Sequence, residues 1–325
     1  MALITFNENG IYCEKASIYI DPWKPVDKAL ITHGHSDHAR WGNNYYLCTT
    51  SAEPVIRYRL GNESNIESID YGKQININGV KFSFHPAGHI IGSAQIRAEY
   101  NGEVWVASGD YKIANDGLSE PFESVKCDHF ITESTFGLPA FDWVPQEEIF
   151  EQINEWWRAN AEKGKVSIMG SYALGKAQRI INLVDHSIGE ILTHGAVEYT
   201  NKVLRKQGVK VKKTTKVDNS MHYNRFKGSL IIAPPSAFRS PWIRKFKDYS
   251  SAMASGWIGN RNMGMTTDRG FVLSDHADWK GLNTAVKETG ANNIYVTHGY
   301  TEQYAKWLVD QGYDAQVVAT EYHGV

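Results

Sequence analysis

The stretch Thr32-His33-Gly34-His35-Ser36-Asp37-His38 places three imidazoles and a carboxylate within six residues. It follows the apolar run Ala29-Leu30-Ile31, which reads as a buried strand, so the donors begin where that strand ends. Imidazole and carboxylate suit zinc, manganese or iron, and a loop at a strand end can aim several of them inward. One tetrahedral ion takes about four ligands. Four donors packed this tightly crowd a single ion, so the run is read as feeding two neighbouring ones.

The same grammar of strand, small residue and donor recurs downstream. The alternating strand Val80-Lys81-Phe82-Ser83-Phe84-His85 stops at Pro86, and His89 follows in a glycine-containing loop. The strand Glu103-Val104-Trp105-Val106-Ala107 delivers Asp110 just after Gly109, and Asn293-Ile294-Tyr295-Val296-Thr297 ends at His298. Four occurrences in one chain carry weight that a single histidine after a strand does not.

These motifs, HGHSDH, PAGH, SGD and a late THG, resemble the metallo-β-lactamase fold in its nucleic-acid-processing branch, the β-CASP nucleases. Glu133 in Ile131-Thr132-Glu133-Ser134-Thr135 and His276 in Leu273-Ser274-Asp275-His276-Ala277-Asp278 match further motifs of that branch. The segment Tyr172-Ala173-Leu174-Gly175-Lys176-Ala177-Gln178-Arg179 is similar to the helix start of its cap domain. The resemblance covers nearly the whole chain and is narrowest toward the bacterial exonucleases of DNA damage response, encoded beside an ATP-dependent DNA ligase and a helicase. It implies an α/β fold: a metallo-β-lactamase αββα sandwich with an inserted α/β, β-CASP-like cap.

The resemblance also implies roles. His33, His35 and His89 would hold one ion, Asp37, His38 and His298 the other, with Asp110 bridging; zinc is the expected metal and manganese the alternative. Asp21, after Ile18-Tyr19-Ile20, resembles the family's structural aspartate beneath the metal loop and would orient ligands. Asp37 would hold the attacking water. His276 would give a proton to the departing oxygen, with Glu133 fixing its tautomer and raising its pKa. The expected activity is a DNA exonuclease in repair, favouring single-stranded ends; a ribonuclease or RNA 3′-end processing enzyme is the alternative. A ligase and a helicase are the expected partners.

Charge agrees with a nucleic-acid partner. The net charge of −2 hides an asymmetry: residues 141–270 hold 20 Lys/Arg against 12 Asp/Glu, and the remainder 14 against 24. The excess peaks at Lys202, Arg205, Lys206, Lys210, Lys212, Lys213 and Lys216, a run interrupted by no acid. Neutralising phosphates drives nucleic-acid affinity, so Lys206, Lys212 and Lys213 are candidate contacts. Lys176, at a strand-to-helix turn, is a candidate for a terminal phosphate. Arg239 and Arg261, in polar loops, are candidates for the strand being cut.

Organisation follows. Strands and turns dominate to about Glu133, with hairpin turns at Asn78-Gly79 and Asn101-Gly102. A helix begins at Pro145, and Ile149, Ile153, Trp156 and Trp157 keep helical spacing, so those tryptophans are expected in the core. Strand and helix then alternate to about 270, the pattern of a parallel sheet. The expected divisions are 1–140 and 271–325 for a discontinuous metal domain and 141–270 for the cap, with the active site in the cleft against that cap. No apolar run approaches 18 residues, so no transmembrane helix or membrane partner is expected. Residues Met1 to Glu8 lack the marks of a signal peptide. Cys13, Cys48 and Cys127 are scattered and odd in number, which suits free thiols in the cytoplasm.

Overall fold

The structure, a computed structural model, describes residues 2–258 and 267–320. The chain divides into two compact units, Met1–Asp142 with His276–Val325, and Trp143–Asp275.

The first unit begins with a six-stranded sheet of β1 (Ile4–Asn7), β2 (Gly10–Cys13), β3 (Ile18–Ile20), β4 (Lys28–Leu30), β5 (Tyr45–Thr49) and β6 (Ile66–Ile69), arranged in sequence order. The first three pair antiparallel and the rest parallel. The helix α1 (Glu53–Leu60) connects β5 to β6 and packs Ile56 and Leu60 against Ala29, Ile31 and Cys48.

A second sheet starts with β7 (Gln74–Ile77), β8 (Val80–Pro86), β9 (Ala94–Tyr100), β10 (Glu103–Ala107) and β11 (His129–Ser134). Both expected hairpin turns form: Asn78 and Asn101 each take a φ of 51° ahead of a glycine, the left-handed pair that tight hairpins require. Leu30 and Leu47 of the first sheet pack with Phe82, Phe84, Ile96 and Trp105 of the second, so the two sheets close on one apolar layer. That layer excludes water beneath the strand ends that carry the histidines.

The second unit holds α2 (Gln146–Glu162), β12 (Val166–Gly170), α3 (Lys176–Leu183), β13 (Ile191–Thr193), α4 (Gly195–Lys206), β14 (Thr215–Lys216), β15 (Leu230–Ala233), β16 (Tyr249–Ala254) and β17 (Arg269–Phe271). Its sheet runs β14-β13-β15-β12-β16-β17, with every pair parallel. Glu147 and Glu148 sit in the first turn of α2, and Trp156 and Trp157 are buried on its inner face, as their spacing predicts.

The chain then returns to the first unit. Here α5 (Trp279–Thr289), β18 (Asn293–Gly299), α6 (Thr301–Asp310) and β19 (Asp314–Val317) complete the second sheet in the order β19-β18-β11-β10-β9-β8-β7. Leu282 and Val286 of α5 and Leu308 of α6 cover Val106, Phe130 and Ile294 on its outer face. The layers are therefore helix, sheet, sheet, helix. One sequence expectation fails locally. Phe271 does not open the return to the first unit, because Arg269–Phe271 pairs alongside Ala252–Ala254 in the parallel sheet. The division falls between Asp275 and His276 instead.

Candidate metal centre

Four connections deliver donors to one place. The loop after β4 carries His33, His35 and His38; the loop after β8 carries His89; the turn after β10 carries Asp110; and β18 carries His298 near its end. Gly109 is required where it stands: its φ is +56°, and a Cβ would meet Thr32 side-chain atoms at 2.7 Å. His298 itself takes a φ of 54°, an uncommon conformation for a non-glycine residue. It turns the strand end as the next residue, Gly299, crosses closely over Ser134.

Asp110 is the hub. Its Oδ2 lies 3.5 Å from His33 Nε2, 3.4 Å from His38 Nε2 and 3.7 Å from His89 Nε2. His89 Nε2 is in turn 3.1 Å from His35 Nδ1. Donor atoms of His33, His35, His89 and Asp110 form one compact group, and those of His38, Asp110 and His298 another, with Asp110 in both. Asp110, Glu133 and His276 make a third.

The far sides of three of the rings are held by acceptors. Asp21 Oδ2 faces His38 Nδ1 at 2.7 Å, while its other oxygen accepts from the Thr32 backbone amide at 2.8 Å. The Thr32 hydroxyl donates to Asp21 at 2.5 Å, which leaves its lone pairs for His33 Nδ1 at 3.1 Å. Thr297 repeats the device: its hydroxyl donates to the Thr132 carbonyl and faces His298 Nδ1, both at 3.1 Å. With an ion bound, protons assigned from this network would sit on Nδ1 of His33, His38 and His298, and each Nε2 would serve as the ligand atom.

Glu133 serves His276 in the same way. Its oxygens lie 3.1 and 2.9 Å from His276 Nδ1, and Oε1 also accepts the Tyr111 amide at 2.8 Å. Glu133 is buried within β11, whereas the His276 ring retains some exposure.

The electrostatics are those of a buried cation site. Burial drives His33 well below the ordinary histidine value, and the neighbouring His38 adds to this. Burial likewise lowers His298. Burial opposes charge on His38 too, but Asp110 and Asp21 together raise it well above its ordinary value. Burial would favour a neutral Asp110, yet His38, His276 and His33 hold it well below the usual carboxylate range.

The donor set fits divalent metal. Ligands about 2.0–2.1 Å from a tetrahedral ion stand roughly 3.3–3.4 Å apart, and the separations around Asp110 and His89 run from 3.1 to 3.7 Å. Among the described residues, His33 Nε2 and Asp110 Oδ1 are buried side-chain atoms that make no hydrogen bond. Buried donors in that state cost free energy unless something else satisfies them.

The other sequence candidates are placed as follows. Asp37 is half-exposed, its Oδ2 3.9 Å from His38 Nε2, and outside the compact groups. Lys176 is buried with its ammonium 3.2 Å from Asp275 and over the Tyr172 ring at 5.2 Å. Arg179 reaches the same Asp275 at 3.4 Å and the Ser274 carbonyl at 2.7 Å. Lys176 is thus committed to a buried ion pair, where the sequence suggests an open phosphate contact. Arg239, Lys206, Lys212 and Lys213 are exposed on the second unit, and Arg261 lies outside the described residues. Arg205, in the basic run, meets an acid after all: it pairs with Glu198 at 2.9 Å and caps the Val211 carbonyl.

No protein-family profile matches the chain. Among curated proteins it is 24% identical, over 96% of its length, to 31% of a "Probable DNA ligase" of Opitutus terrae. It is 30% identical, over 52% of its length, to 20% of an "Endoribonuclease YSH1" of Gibberella zeae. The chain therefore spans a third or less of these relatives. A crystal structure of an Enterococcus faecalis protein of unknown function superposes with a TM-score of 0.63 at 10% identity, covering 90% of this chain and 79% of the other, which is a likeness of fold. Relatives of these names are metallo-β-lactamase/β-CASP proteins, in keeping with the resemblance carried by the motifs. The chain is thus similar to β-CASP members of the metallo-β-lactamase fold family.

Sequence reasoning missed the orienting hydroxyls of Thr32 and Thr297. The available signal is the tripeptide Thr-His-Gly, present at 32–34 and 297–299. It also occurs at 193–195, where His194 instead caps α4 by accepting from the Ala196 amide at 3.1 Å. Arg59 was missed as well. Its guanidinium donates to the Gly34 carbonyl at 2.5 Å, pinning the His33–His35 turn from α1.

Proposed function

We propose that the chain is a metal-dependent nuclease that degrades DNA from an end during repair. In this reading the first unit is the metallo-β-lactamase αββα sandwich and the second the inserted β-CASP-like cap. The observation that carries it is the position of Asp110, within 3.4–3.7 Å of three imidazoles from two separate loops and shared by two donor groups. That arrangement suits two ions with a common carboxylate. His33, His35 and His89 would hold the first, and His38 and His298 the second, with Asp37 completing it after a small rotation of its exposed side chain. Two divalent ions, zinc or manganese, would activate water for attack and neutralise charge on the phosphate.

The chain's own groups do the rest. Asp21, Thr32 and Thr297 keep the Nε2 lone pairs aimed inward, so the site costs little reorganisation. His276 holds at Nε2 the proton that the departing oxygen needs, while Glu133 engages Nδ1 and fixes the ring. Because Glu133 already accepts from Tyr111 and His276, it acts as the positioning carboxylate and not as a further ligand. Exposed Lys206, Lys212, Lys213 and Arg239 belong to a unit with a basic excess, suited to a phosphate backbone.

DNA is favoured because the match to the ligase-named protein runs along nearly the whole chain. That relative's name, a probable DNA ligase, supports a ligase as partner. A second reading, RNA cleavage on the same centre, is favoured by the endoribonuclease-named relative, which matches half of the chain. Digestion of matched end-labelled DNA and RNA, single- and double-stranded, with zinc or manganese, separates the two. Faster loss of DNA from single-stranded ends supports the first reading; RNA degraded much faster than DNA of the same sequence supports the second. Rapid cutting of circular single-stranded DNA contradicts an exonuclease.

A further inference from the structure

The second unit carries one exposed aromatic ring bracketed by cations. Tyr199, in the second turn of α4, is 45% exposed. The ammonium of Lys202 lies 5.6 Å from its ring centroid and that of Lys216 5.4 Å, one from α4 and one from β14. The adjacent acid does not cancel them. Glu198 is 4% exposed and turned inward, where Thr193, Thr214 and Arg205 satisfy its oxygens. Asp218, just beyond Lys216, accepts chiefly from the Ser220 amide and hydroxyl and feels the Lys216 charge more weakly.

Position adds a second argument. Strands β13 and β14 are parallel neighbours that end at Thr193 and Lys216, so α4 starts and Lys216 sits at the carboxyl edge of the sheet. Open parallel sheets bind ligands at that edge. Two further aromatic groups lie there: the His194 and Trp242 rings meet edge to face with centroids 5.0 Å apart.

Resting on the nuclease reading above, we infer that Tyr199 is a stacking platform for a base of single-stranded nucleic acid, with Lys202 and Lys216 taking the flanking phosphates. An exposed ring gives a base a surface to stack on, and two ammoniums within 5.6 Å of it match the charges that follow along a strand. Duplex DNA, whose bases are already stacked, gains nothing from the ring.

The test measures binding of a short fluorescein-labelled oligothymidylate, and of its abasic counterpart, by anisotropy at several salt concentrations. The full chain should prefer the base-containing strand. Tyr199→Ala should weaken that binding roughly ten-fold or more and erase the preference, whereas Tyr199→Phe should retain both. Reversing Lys202 and Lys216 to Glu should lower the salt slope by about 1.4, at roughly 0.7 for each lost contact with a single strand. Unchanged melting temperatures show that the exposed substitutions leave the fold intact. If the unaltered chain binds and cuts DNA or RNA but Tyr199→Ala binds within about two-fold of it, this inference fails and the nuclease reading stands. If the unaltered chain neither binds nor cuts any nucleic acid, the nuclease reading itself fails. Binding to phosphatidylserine vesicles through the same residues, with none to oligonucleotide, also overturns the inference.

Discussion

His276 Nδ1 lies 2.9 Å from Glu133 Oε2, a contact between residues 143 apart in the chain. Glu133 is buried in a central strand, and His276 is set in the segment that precedes α5. A rigid carboxylate therefore orients a more exposed imidazole through its Nδ1. The division of labour differs from that around Asp110, where the rings are buried and point inward.

From that difference, His276→Ala should retain its metal yet lose cleavage by about 10²–10⁴-fold, the usual range for a general acid. Metal content and cleavage rate measured on the same preparation decide it. If metal falls together with activity, His276 is a ligand, through the group it forms with Asp110 and Glu133.

Asp110→Ala should lose more than one equivalent of metal, because its carboxylate belongs to both donor groups. Elemental analysis after extensive dialysis reads this directly. A variant that keeps two equivalents and full activity removes Asp110 from the centre.

Asp21→Asn tests the orienting layer without touching an inward-facing donor. An amide oxygen can still accept from Thr32, but its NH2 then opposes the His38 Nδ1 proton. Metal affinity should fall roughly 10–100-fold, as is typical for such outer partners. Competition with a chromogenic chelator measures it, and an unchanged affinity rejects the role.

The three cysteines offer a check on the fold itself. Burial pushes the Cys127 thiol up to about 12, and raises Cys13 and Cys48 as well. Thiolate is the reactive form, so at pH 8 in the folded protein iodoacetamide should label none of them readily. Labelling of all three should follow denaturation. Fast labelling of the folded protein at pH 8 contradicts the placement of those thiols.

The histidine cluster was legible because each donor is announced locally, by an apolar strand followed by a glycine or a proline. Asp21 was anticipated through the family resemblance, at its position after β3. Arg59 and the Lys176–Asp275–Arg179 cluster could not, because their partners are far away in sequence: Arg179 and Asp275 are 96 residues apart. The same holds for Arg205. In sequence it is one more cation in a basic run, but in space it is consumed by Glu198, a residue on its own helix. The boundary at 271 was set too early because the short strand Arg269–Phe271 carries one apolar side chain, which suits either sheet, and only backbone pairing chooses between them. The value of Thr32 and Thr297 depends on which ring nitrogen each hydroxyl faces, a matter of geometry that composition does not encode.

The central claim is a metal centre that cuts nucleic acid. Its most direct test is the digestion of end-labelled linear single-stranded DNA by protein stripped with a chelator, before and after zinc or manganese is restored. The account predicts no cleavage by the stripped protein, recovery on adding metal, and no recovery in Asp110→Ala. Equal cleavage with and without metal, or full recovery in Asp110→Ala, would contradict it.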